Sequence, residues 1–363
     1  MNDRERFLAT MNYQPHDRCP WWELWYWPET VERWHNEGLP EDVHLEQYFG
    51  VDRRGGVGVN LGLVPGFKVE TLDETETYEI YRRTDGVVAK KIKEGDLGAR
   101  MPQWISFPLE TRRDWEEVIK PRLNPDSPCR YPLYWEEKKR IWAQRDYPLD
   151  IGGGSIFGWL RNWMSMERIC QTFYDDPDWM HEMMDYIADF VVATVRQAVE
   201  EVDIDCVMMW EDMAYKAGPL ISPRMFREFM LEPYKKITSF FHEHGIHLIF
   251  VDSDGDSESL FPLWLEGGVT GQYPLERASG MNPLALRRKY GPQMRLIGGI
   301  DKRAMAAGPE AIDEQLDHLV PLFIEGGYIP WCDHLVPPDV PFQHYMYYVN
   351  KMKAISLNPR AFL

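Results

Sequence analysis

From about residue 148 onward, short apolar runs alternate with longer amphipathic segments. The runs have the composition of buried strands, and the segments between them have helical periodicity. Two helical segments begin with capping signals, Asp176-Pro177 and Ser222-Pro223. Strands that alternate with helices of about ten or more residues indicate parallel βαβ units. The apolar runs are "YPLDIGGG" (147–154), "DCVMMWED" (205–212), "IHLIFVDSDGD" (246–256), "VTGQYPLE" (269–276), "MRLIGGID" (294–301) and "GYIPWCDH" (327–334).

The first 147 residues are less regular. Helical patterns occupy 3–11, 28–37 and 41–49, and "DRCPWWELWYW" at 17–27 has the apolar content of a first strand followed by a loop. Residues 55–105 alternate like β-structure around a "TDG" turn, which predicts a hairpin elaboration. This region can therefore supply the strands that the six later ones lack for a closed eight-stranded barrel.

These patterns predict an α/β fold, a single (β/α)8 TIM barrel with an N-terminal β-hairpin and helical elaboration. One domain over 1–363 is expected, in which 1–147 supply the first strands and the elaboration and 148–355 supply the regular βα units. A doubly wound open sheet is the structural alternative. It is disfavoured because no Gly-rich phosphate fingerprint follows an early strand.

Charge and cysteine usage narrow the class of protein. The formal net charge is −18, without a Lys/Arg-rich block, so nucleic acid and anionic membranes are poor partners. No signal-peptide core and no apolar run of membrane-spanning length are found, and a cytoplasmic location is expected. The five cysteines are scattered and form no CxxC pair, which argues against a disulfide framework.

Polar side chains follow five of the predicted strands, where a barrel of this kind places its chemistry. Carboxylates packed together without partners raise one another's pKa, so the whole set indicates a metal or acid/base cluster. Any single member has a plainer explanation: Asp256 can cap the next helix, and Asp301 can pair locally with Lys302 or Arg303. The set comprises Glu211, Asp212, Asp252, Asp254, Asp256, Glu276, Asp301, Lys302, Arg303, Cys332, Asp333 and His334.

Among the cysteines, Cys332 is the candidate ligand. Cys206 and Cys170 lie within a strand and a helical run, where cysteine acts as a small hydrophobic residue. Cys332 stands at a strand exit beside Asp333 and His334, so a zinc-bound thiolate and a free thiol in a pocket wall are both open interpretations.

Five sequence blocks between about residues 150 and 350 resemble the uroporphyrinogen decarboxylase-like superfamily in order and spacing. The resemblance implies a single (β/α)8 barrel. It also implies one of two chemistries: cofactor-free decarboxylation of a tetrapyrrole with many carboxylates, or methyl transfer to or from a corrinoid protein, often with zinc. The blocks are "GWLRNWMSMERICQTFYDDPDWMHEMMD", "EDMAYKAGPLISPRMFREFMLEPYKKI", "YPLERASGMNPLALRRKYG", "LIGGIDKRAM" and "GGYIPWCDHLVPPDVPFQHY".

The stretch after the first predicted strand separates the two chemistries. The decarboxylases carry an arginine motif of the "RQAGRY" kind there, which neutralises substrate carboxylates. This chain instead has "WWELWYW", with Glu23 and no Arg or Lys before Arg33. A pocket of acids and aromatics binds a polyanion unfavourably, because unpaired like charges in a desolvated site raise the free energy of the complex.

The resemblance also implies metal-ligand positions. Corrinoid-dependent relatives have a His-x-Cys-Gly motif after the fifth strand and a further Cys after the eighth. Here Asp252-Ser253-Asp254-Gly255 occupies the first position and Cys332 the second. The expected ligands are therefore Asp252, Asp254, Glu276 and Cys332, for Zn²⁺ or another divalent metal in an oxygen-rich site. Glu211 is a further candidate ligand.

We therefore predict a methyltransferase that moves a methyl group between a small donor, with an aromatic methyl ether favoured, and a corrinoid carried by a partner protein. Acid or metal assistance at the leaving heteroatom is expected. A decarboxylase acting on a smaller acid and a non-catalytic corrinoid- or tetrapyrrole-binding barrel are the alternatives. The assigned roles are catalysis for Glu211, Asp254, Asp333 and His334, cofactor binding for Asp301, Lys302 and Arg303, and substrate binding for Trp21, Trp22, Trp25, Tyr26 and Arg161.

Overall fold

The computed structural model of the protein describes residues 1–93 and 101–363. Its strands form a parallel sheet, an antiparallel sheet and a two-stranded ribbon. The strands are β1 (Gly55–Gly56), β2 (Glu70–Glu74), β3 (Tyr78–Arg82), β4 (Val88–Ile92), β5 (Gln103–Ser106), β6 (Leu149–Gly152), β7 (Cys206–Trp210), β8 (Ala214–Tyr215), β9 (Gly218–Pro219), β10 (Ile249–Asp252), β11 (Gly271–Tyr273), β12 (Arg295–Ile297) and β13 (Tyr328–Ile329).

Helices separate most of the strands, and the predicted capping residues begin two of them. Asp176 accepts a hydrogen bond from Trp179 N, and Ser222 accepts one from Met225 N. Within the described ranges, no helix is both long and apolar enough to cross a membrane. The helices are α1 (Asp3–Met11), α2 (Pro28–Asn36), α3 (Leu45–Phe49), α4 (Arg112–Asp114), α5 (Trp135–Trp142), α6 (Phe157–Met164), α7 (Met166–Asp175), α8 (Pro177–Glu201), α9 (Pro223–Met225), α10 (Leu231–Glu243), α11 (Phe261–Glu266), α12 (Pro283–Tyr290), α13 (Lys302–Ala307), α14 (Pro309–Glu325) and α15 (Phe342–Leu357).

The parallel sheet has seven strands in the order β1-β6-β7-β10-β11-β12-β13. Each of the six strands predicted after residue 147 is present, and each pairs with its neighbour in chain order, so the α/β class is confirmed. The sheet is curled, with helices on its convex side. The register places Asp252 of β10 beside Trp210 of β7 and Tyr273 of β11.

The first strand expected within 17–27 is not a regular strand. It forms one parallel bridge, between Tyr26 and Val336, beyond the end of β13. At its other side, the backbone N–H of Asp52 donates to Trp21 O at 2.9 Å, just before β1. The segment therefore contacts the chain next to both edge strands of the sheet.

The elaboration predicted for 55–105 is an antiparallel sheet, β2-β3-β4-β5, with the "TDG" turn between β3 and β4. The part of this prediction that covers 94–100 lies outside the described residues. Gly55–Gly56, at the start of the same interval, instead forms β1 and pairs in parallel with Leu149–Asp150. The interval thus divides between the hairpin sheet and the edge of the main sheet.

Helix α1 covers the amino ends of the strands. The backbone N–H of Gly327 donates to Thr10 O at 2.7 Å, and Arg295 Nε donates to Met11 O at 2.8 Å. Apolar residues from α1 and from the concave face form one buried cluster, which closes this end. Its members are Phe7, Met11, Trp22, Cys206, Leu248, Phe250, Tyr273, Ile297, Ile329 and Trp331.

Candidate functional site

The concave face of the parallel sheet is packed on one side and open on the other. Around β12 and β13, the inward residues Ile297, Ile329 and Trp331 have no accessible surface. On β6 and β7, by contrast, alternate residues remain partly exposed although these are interior strands of the sheet. Since alternate strand residues point to one face, this pattern indicates a cavity against β6 and β7. The partly exposed residues are Asp150, Gly152, Met208 and Trp210.

Two glycines leave room in this open half. Gly56 is exposed and lies in register with Asp150, and a Cβ at Gly56 would stand 3.3 Å from Asp150 Oδ1. A Cβ at Gly152 would meet only Leu61 Cδ1, at 3.5 Å. The absence of side chains at these positions leaves the carboxyl group of Asp150 accessible.

A cleft of about 450 Å³ opens beside Trp210. It lies between the loop after β1, the turn of the hairpin sheet and helix α6. Trp210 belongs both to this cleft and to the concave face, so the cleft leads toward the open half. Its lining residues are Asn60, Gly62, Leu63, Gly66, Thr84, Asp85, Trp159, Asn162, Trp163 and Trp210.

Asp252 is a partly exposed acid on this face. Among the described residues, its carboxyl group has no hydrogen bond and no ion pair, although it stands between Trp210 and Tyr273. Burial raises the pKa of Asp252 well above its ordinary value, and the negative charges of Asp254 and Asp212 raise it further. Asp252 therefore keeps its proton at a pH where an exposed aspartate has lost it.

Asp254 and His334 meet at the rim beside Asp252. Their side chains approach to 3.5 Å between Asp254 Oδ2 and His334 Nε2, and both are partly exposed. The contact with Asp254 raises the pKa of His334, whereas burial opposes the rise. Of the four residues predicted to be catalytic, the structure brings these two together at an accessible position.

Glu211 does not fit its predicted role. It has no accessible surface, and its carboxylate accepts hydrogen bonds from the first backbone N–H groups of helix α6 and from Tyr234 Oη at 2.8 Å. Burial raises its pKa, and these hydrogen bonds oppose the rise. It anchors the start of α6 to β7, as a capping acid does. The other donors are Ser155 Oγ at 3.1 Å, Ile156 N at 3.0 Å, Phe157 N at 2.9 Å and Gly158 N at 3.0 Å.

Asp333 is also enclosed. Its two oxygens accept hydrogen bonds from Arg277 N at 2.8 Å and from Lys302 N at 3.1 Å, and Lys302 Nζ lies 3.4 Å away. Burial raises the pKa of Asp333, and Lys302 opposes the rise. Asp333 thus joins the loops after β11 and β12, which does not fit a catalytic role.

The residues predicted to hold a cofactor are paired with their neighbours. Asp301 caps α13 and binds the guanidinium of Arg303 at 2.7 Å, and Lys302 Nζ lies 3.1 Å from Glu276 Oε1. Glu276 also accepts a hydrogen bond from Gly255 N at 3.0 Å. The charges of Asp301, Lys302 and Arg303 are thus paired within the chain.

The predicted metal ligands do not converge. In 1–93 and 101–363, no three His, Cys, Asp or Glu side chains form a group that could hold a metal ion. Cys332 packs on the convex side with no accessible surface, and burial raises the pKa of its thiol far above the ordinary value. Glu276 is engaged by Lys302, so Asp252 and Asp254 lack the partners that a zinc site requires.

The predicted aromatic wall splits between two faces. Trp22 faces the concave side and stacks on Phe7 with ring centroids 5.0 Å apart. Trp21 and Tyr26 pack in the core on the convex side, and Trp25 is 54% exposed. Only Trp22 of this set therefore lies on the concave face, and its neighbour Trp21 points to the opposite side, as alternation along an extended segment requires.

Arg161, the fifth predicted substrate residue, lies over Trp210, which lines the cleft. Its guanidinium pairs with Asp212 Oδ2 at 2.8 Å, donates to Asp212 O at 2.6 Å, and stacks over the ring of Trp210 at 5.5 Å. This arrangement holds Trp210 in place but occupies the positive charge of Arg161.

Three polar residues of the concave face are missed by the sequence reasoning: Arg54, Asp150 and Tyr273. The alternation within "LDIGG" could have identified Asp150 as inward-facing, and the run ending in Tyr273 was recognised as a strand. Arg54 had no such signal, since it directly precedes a two-residue strand inside the elaboration. All three become candidates once the curl of the sheet is known.

A family model described as uroporphyrinogen decarboxylase (URO-D) matches residues 146–355. Curated relatives named uroporphyrinogen decarboxylase include one from Shewanella piezotolerans, 24% identical over 221 residues, covering 59% of this chain and 57% of that protein. The alignment thus spans little more than half of that relative. Another, from Sodalis glossinidius, is 24% identical over 372 aligned positions, covering 97% of each chain.

Among solved structures, a methyltransferase from Methanosarcina mazei is similar in fold. It matches with a TM-score of 0.62 and 15% identity, over 98% of this chain and 99% of that one. At this identity the similarity concerns the fold alone.

Proposed function

This chain belongs to the uroporphyrinogen decarboxylase (URO-D) family, and we propose that it is a methyltransferase whose donor sits against the open half of the concave face. The fold shared with a methyltransferase supports the reaction class. The observation that carries the proposal is Asp252, an unpaired acid of raised pKa between Trp210 and Tyr273.

Methyl transfer from oxygen or nitrogen requires help at the leaving heteroatom. An alkoxide or amide anion is a poor leaving group, so a positioned acid that donates a proton lowers the barrier. Asp252 is suited to this role because burial raises its pKa well above the ordinary value and no other described group holds its carboxyl. We assign the return of a proton to Asp252 after each turnover to the Asp254–His334 pair, which lies at the same end of the sheet.

The proposed methyl acceptor is a corrinoid carried by a partner protein, which the sequence resemblance implies. When bound, the corrinoid supplies the nucleophile that takes the methyl group. The partner would hold it, since Asp301, Lys302 and Arg303 are paired within this chain. The mechanism proposed for this chain is therefore limited to binding and orienting the donor and to the proton at Asp252.

We further propose that the curled sheet closes into a complete eight-stranded barrel within a single domain. The segment Trp21–Tyr26 supplies the eighth position, because it contacts the chain beside both β1 and β13. Closure would enclose the open half on all sides except the carboxyl ends of the strands, where Asp252 lies.

A decarboxylase that acts on a small acid is the second candidate, and Arg54 favours it. Its guanidinium lies over Trp22 and Trp331 of the concave face and has no carboxylate partner among the described residues. A carboxylate held there and a protonated Asp252 could serve loss of CO₂ followed by protonation of the carbanion.

The two functions are separated by their products. The purified protein would be incubated with methoxylated aromatics and a reduced corrinoid protein, and the released phenol would be measured. Asp252→Asn provides the inactive variant and Asp256→Asn the matched control on the same loop. Phenol release that needs Asp252 supports the proposal, whereas CO₂ release from carboxylated compounds without demethylation supports the decarboxylase. If neither phenol nor CO₂ is released from any compound of a broad panel, both proposed functions are contradicted.

A further inference from the structure

We propose that the open half of the concave face binds a small aromatic monocarboxylate, with the carboxylate held between Arg54 and Asp150. The inference names the substrate class for the proposed methyl transfer and rests on that function for its catalytic meaning. Binding itself can be measured without turnover.

Arg54 is a cation whose charge is not used within the described chain. Its guanidinium makes one hydrogen bond, from Nη2 to Glu23 O at 3.3 Å, and has no ion pair among the described residues. It lies over the rings of Trp22 at 5.2 Å and Trp331 at 5.5 Å, which hold its plane in position. Its neighbour Arg53, in contrast, is exposed and pairs with Asp3 and Asp146.

Asp150 faces the same space and is also without a partner. No described group forms a hydrogen bond or an ion pair with its carboxyl, and burial raises its pKa to about 6, with Arg54 lowering it only in part. Arg54 and Asp150 form no ion pair with each other, so each is free to make its own hydrogen bond to a bound group. A carboxylate fits there, because it accepts two hydrogen bonds from the guanidinium and one from a protonated Asp150.

Tyr273 contributes a further polar group to this face. It is 7% exposed, and its ring lies against that of Trp331, with centroids 5.8 Å apart. Burial and the charges of Asp252 and Asp150 raise the pKa of Tyr273 well above its ordinary value, so the hydroxyl remains a donor. The hydroxyl forms no hydrogen bond with the described residues and is available to a ligand or to water.

The surrounding groups specify an aromatic body and a single negative charge. Trp210 and Met208 offer partly exposed apolar surface on the open side, and the indole of Trp210 is flat. Arg161 is already paired with Asp212, and Lys302 with Glu276 and Asp333. The single charge of Arg54 matches a monoanion and leaves a polycarboxylate largely uncompensated.

The binding test uses isothermal titration calorimetry with benzoate, 4-methoxybenzoate and the neutral analogue benzamide. Loss of a charge-assisted pair corresponds to about 10- to 100-fold in affinity, so Arg54→Met should weaken both carboxylates by that factor and leave benzamide unaffected. Arg53→Met is the matched control and should change none of the three affinities. Arg54→Lys, which keeps the charge, should show an intermediate loss of carboxylate affinity. It also provides a second variant if the methionine variant does not fold.

The pH dependence of carboxylate binding tests whether Asp150 donates a proton to the ligand. Carboxylate affinity should fall as pH rises through about 6, because Asp150 then loses the proton that it donates to the ligand. Of the groups that face Asp150, Arg54 is a cation, and burial raises the pKa values of Cys206 and Tyr273 well above their ordinary values, so neither loses its proton near pH 6. Burial also raises the pKa of Asp252, so its ionisation adds a separate pH dependence. Asp150→Asn should therefore remove the fall near pH 6.

Several outcomes overturn the inference: no carboxylate binding to the wild-type protein, equal losses in Arg54→Met and Arg53→Met, or benzamide binding as tightly as benzoate. Carboxylate binding that depends on Arg54, without any methyl transfer, would keep the inference and contradict the proposed function. Demethylation of neutral methoxyarenes that is unchanged in Arg54→Met would keep the proposed function and contradict the inference.

Discussion

Glu211 and Asp252 follow neighbouring strands, and the backbone N–H of Glu211 donates to Asp252 O at 2.9 Å. Burial raises the pKa of both acids. Glu211, however, accepts hydrogen bonds from three backbone N–H groups and two hydroxyls, whereas the carboxyl of Asp252 has no described partner. Two acids at one end of the sheet thus have different roles.

The alternation of strand residues explains the difference. Asp252 lies in register with Trp210 on the concave face, so Glu211, one residue after the end of β7, points to the opposite side and reaches α6. A buried carboxylate surrounded by donors holds the fold together, and an unpaired one is available for proton transfer. Hydrogen-bond partners, rather than burial or pKa direction, therefore distinguish structural from candidate catalytic acids here.

The largest effect is expected from Glu211→Ala, which should destabilise the folded protein. The substitution leaves the start of α6, Ser155 and Tyr234 without their acceptor, which should lower the free energy of unfolding by about 3–5 kcal/mol. Urea denaturation measures it. Glu243→Ala, at an exposed glutamate, is the control and should stay within about 0.5 kcal/mol of the wild type. A Glu211→Ala protein of normal stability would contradict the structural role.

Asp252→Asn should lower kcat for methyl transfer by about 100-fold or more, because the isosteric amide cannot donate the acidic proton. Steady-state kinetics with a responsive donor from the panel measures it. Asp256→Asn should change kcat less than about 2-fold, since Asp256 only accepts a hydrogen bond from Glu258 N. Equal losses of kcat in the two variants would contradict the role of Asp252 as proton donor.

The raised pKa of Asp252 should also make the stability of the protein depend on pH. The folded protein holds the proton of Asp252 more tightly than the unfolded chain does, so ionisation of Asp252 makes folding less favourable as pH rises from the unfolded pKa to the raised folded one. Asp252→Asn removes this penalty and should be more stable than the wild type at high pH, with the difference vanishing in acid. Thermal melting from pH 3.5 to 8.5 measures the difference. A variant less stable than the wild type at high pH would contradict an unpaired Asp252.

The smallest effect concerns His334. Its raised pKa depends first on the contact with Asp254, so Asp254→Asn should bring it down toward the ordinary value. Titration of the His334 ring by NMR measures the change, and Asp256→Asn should leave it unaltered. An unchanged His334 pKa would mean that the two side chains do not meet in solution.

Much of the framework could be predicted from the sequence. The six strands after residue 147 and the helices begun by Asp176 and Ser222 follow from apolar runs and capping residues, which act over a few positions. The hairpin sheet followed from alternation and the "TDG" turn. The first strand was harder, because its pairing is limited to a bridge at Tyr26 and contacts near Asp52.

The candidate site was predicted only in part. Polar residues do gather after the strands, and Asp252, Asp254 and His334 lie together there. Their predicted partners Cys332 and Glu211 face the other way, and Asp333 is covered by Arg277 and Lys302. Position along the chain shows that a residue follows a strand, but not which donors surround its side chain.

The sequence by itself therefore determined the succession of strands and helices, since short-range periodicity and caps encode it. The tertiary structure alone decided which polar groups remain unpaired. Arg54, Asp150 and Tyr273 come from distant parts of the chain and meet because the sheet curls. Curvature and register bring them to one cavity, and whether a buried polar group finds a partner depends on residues far away in sequence.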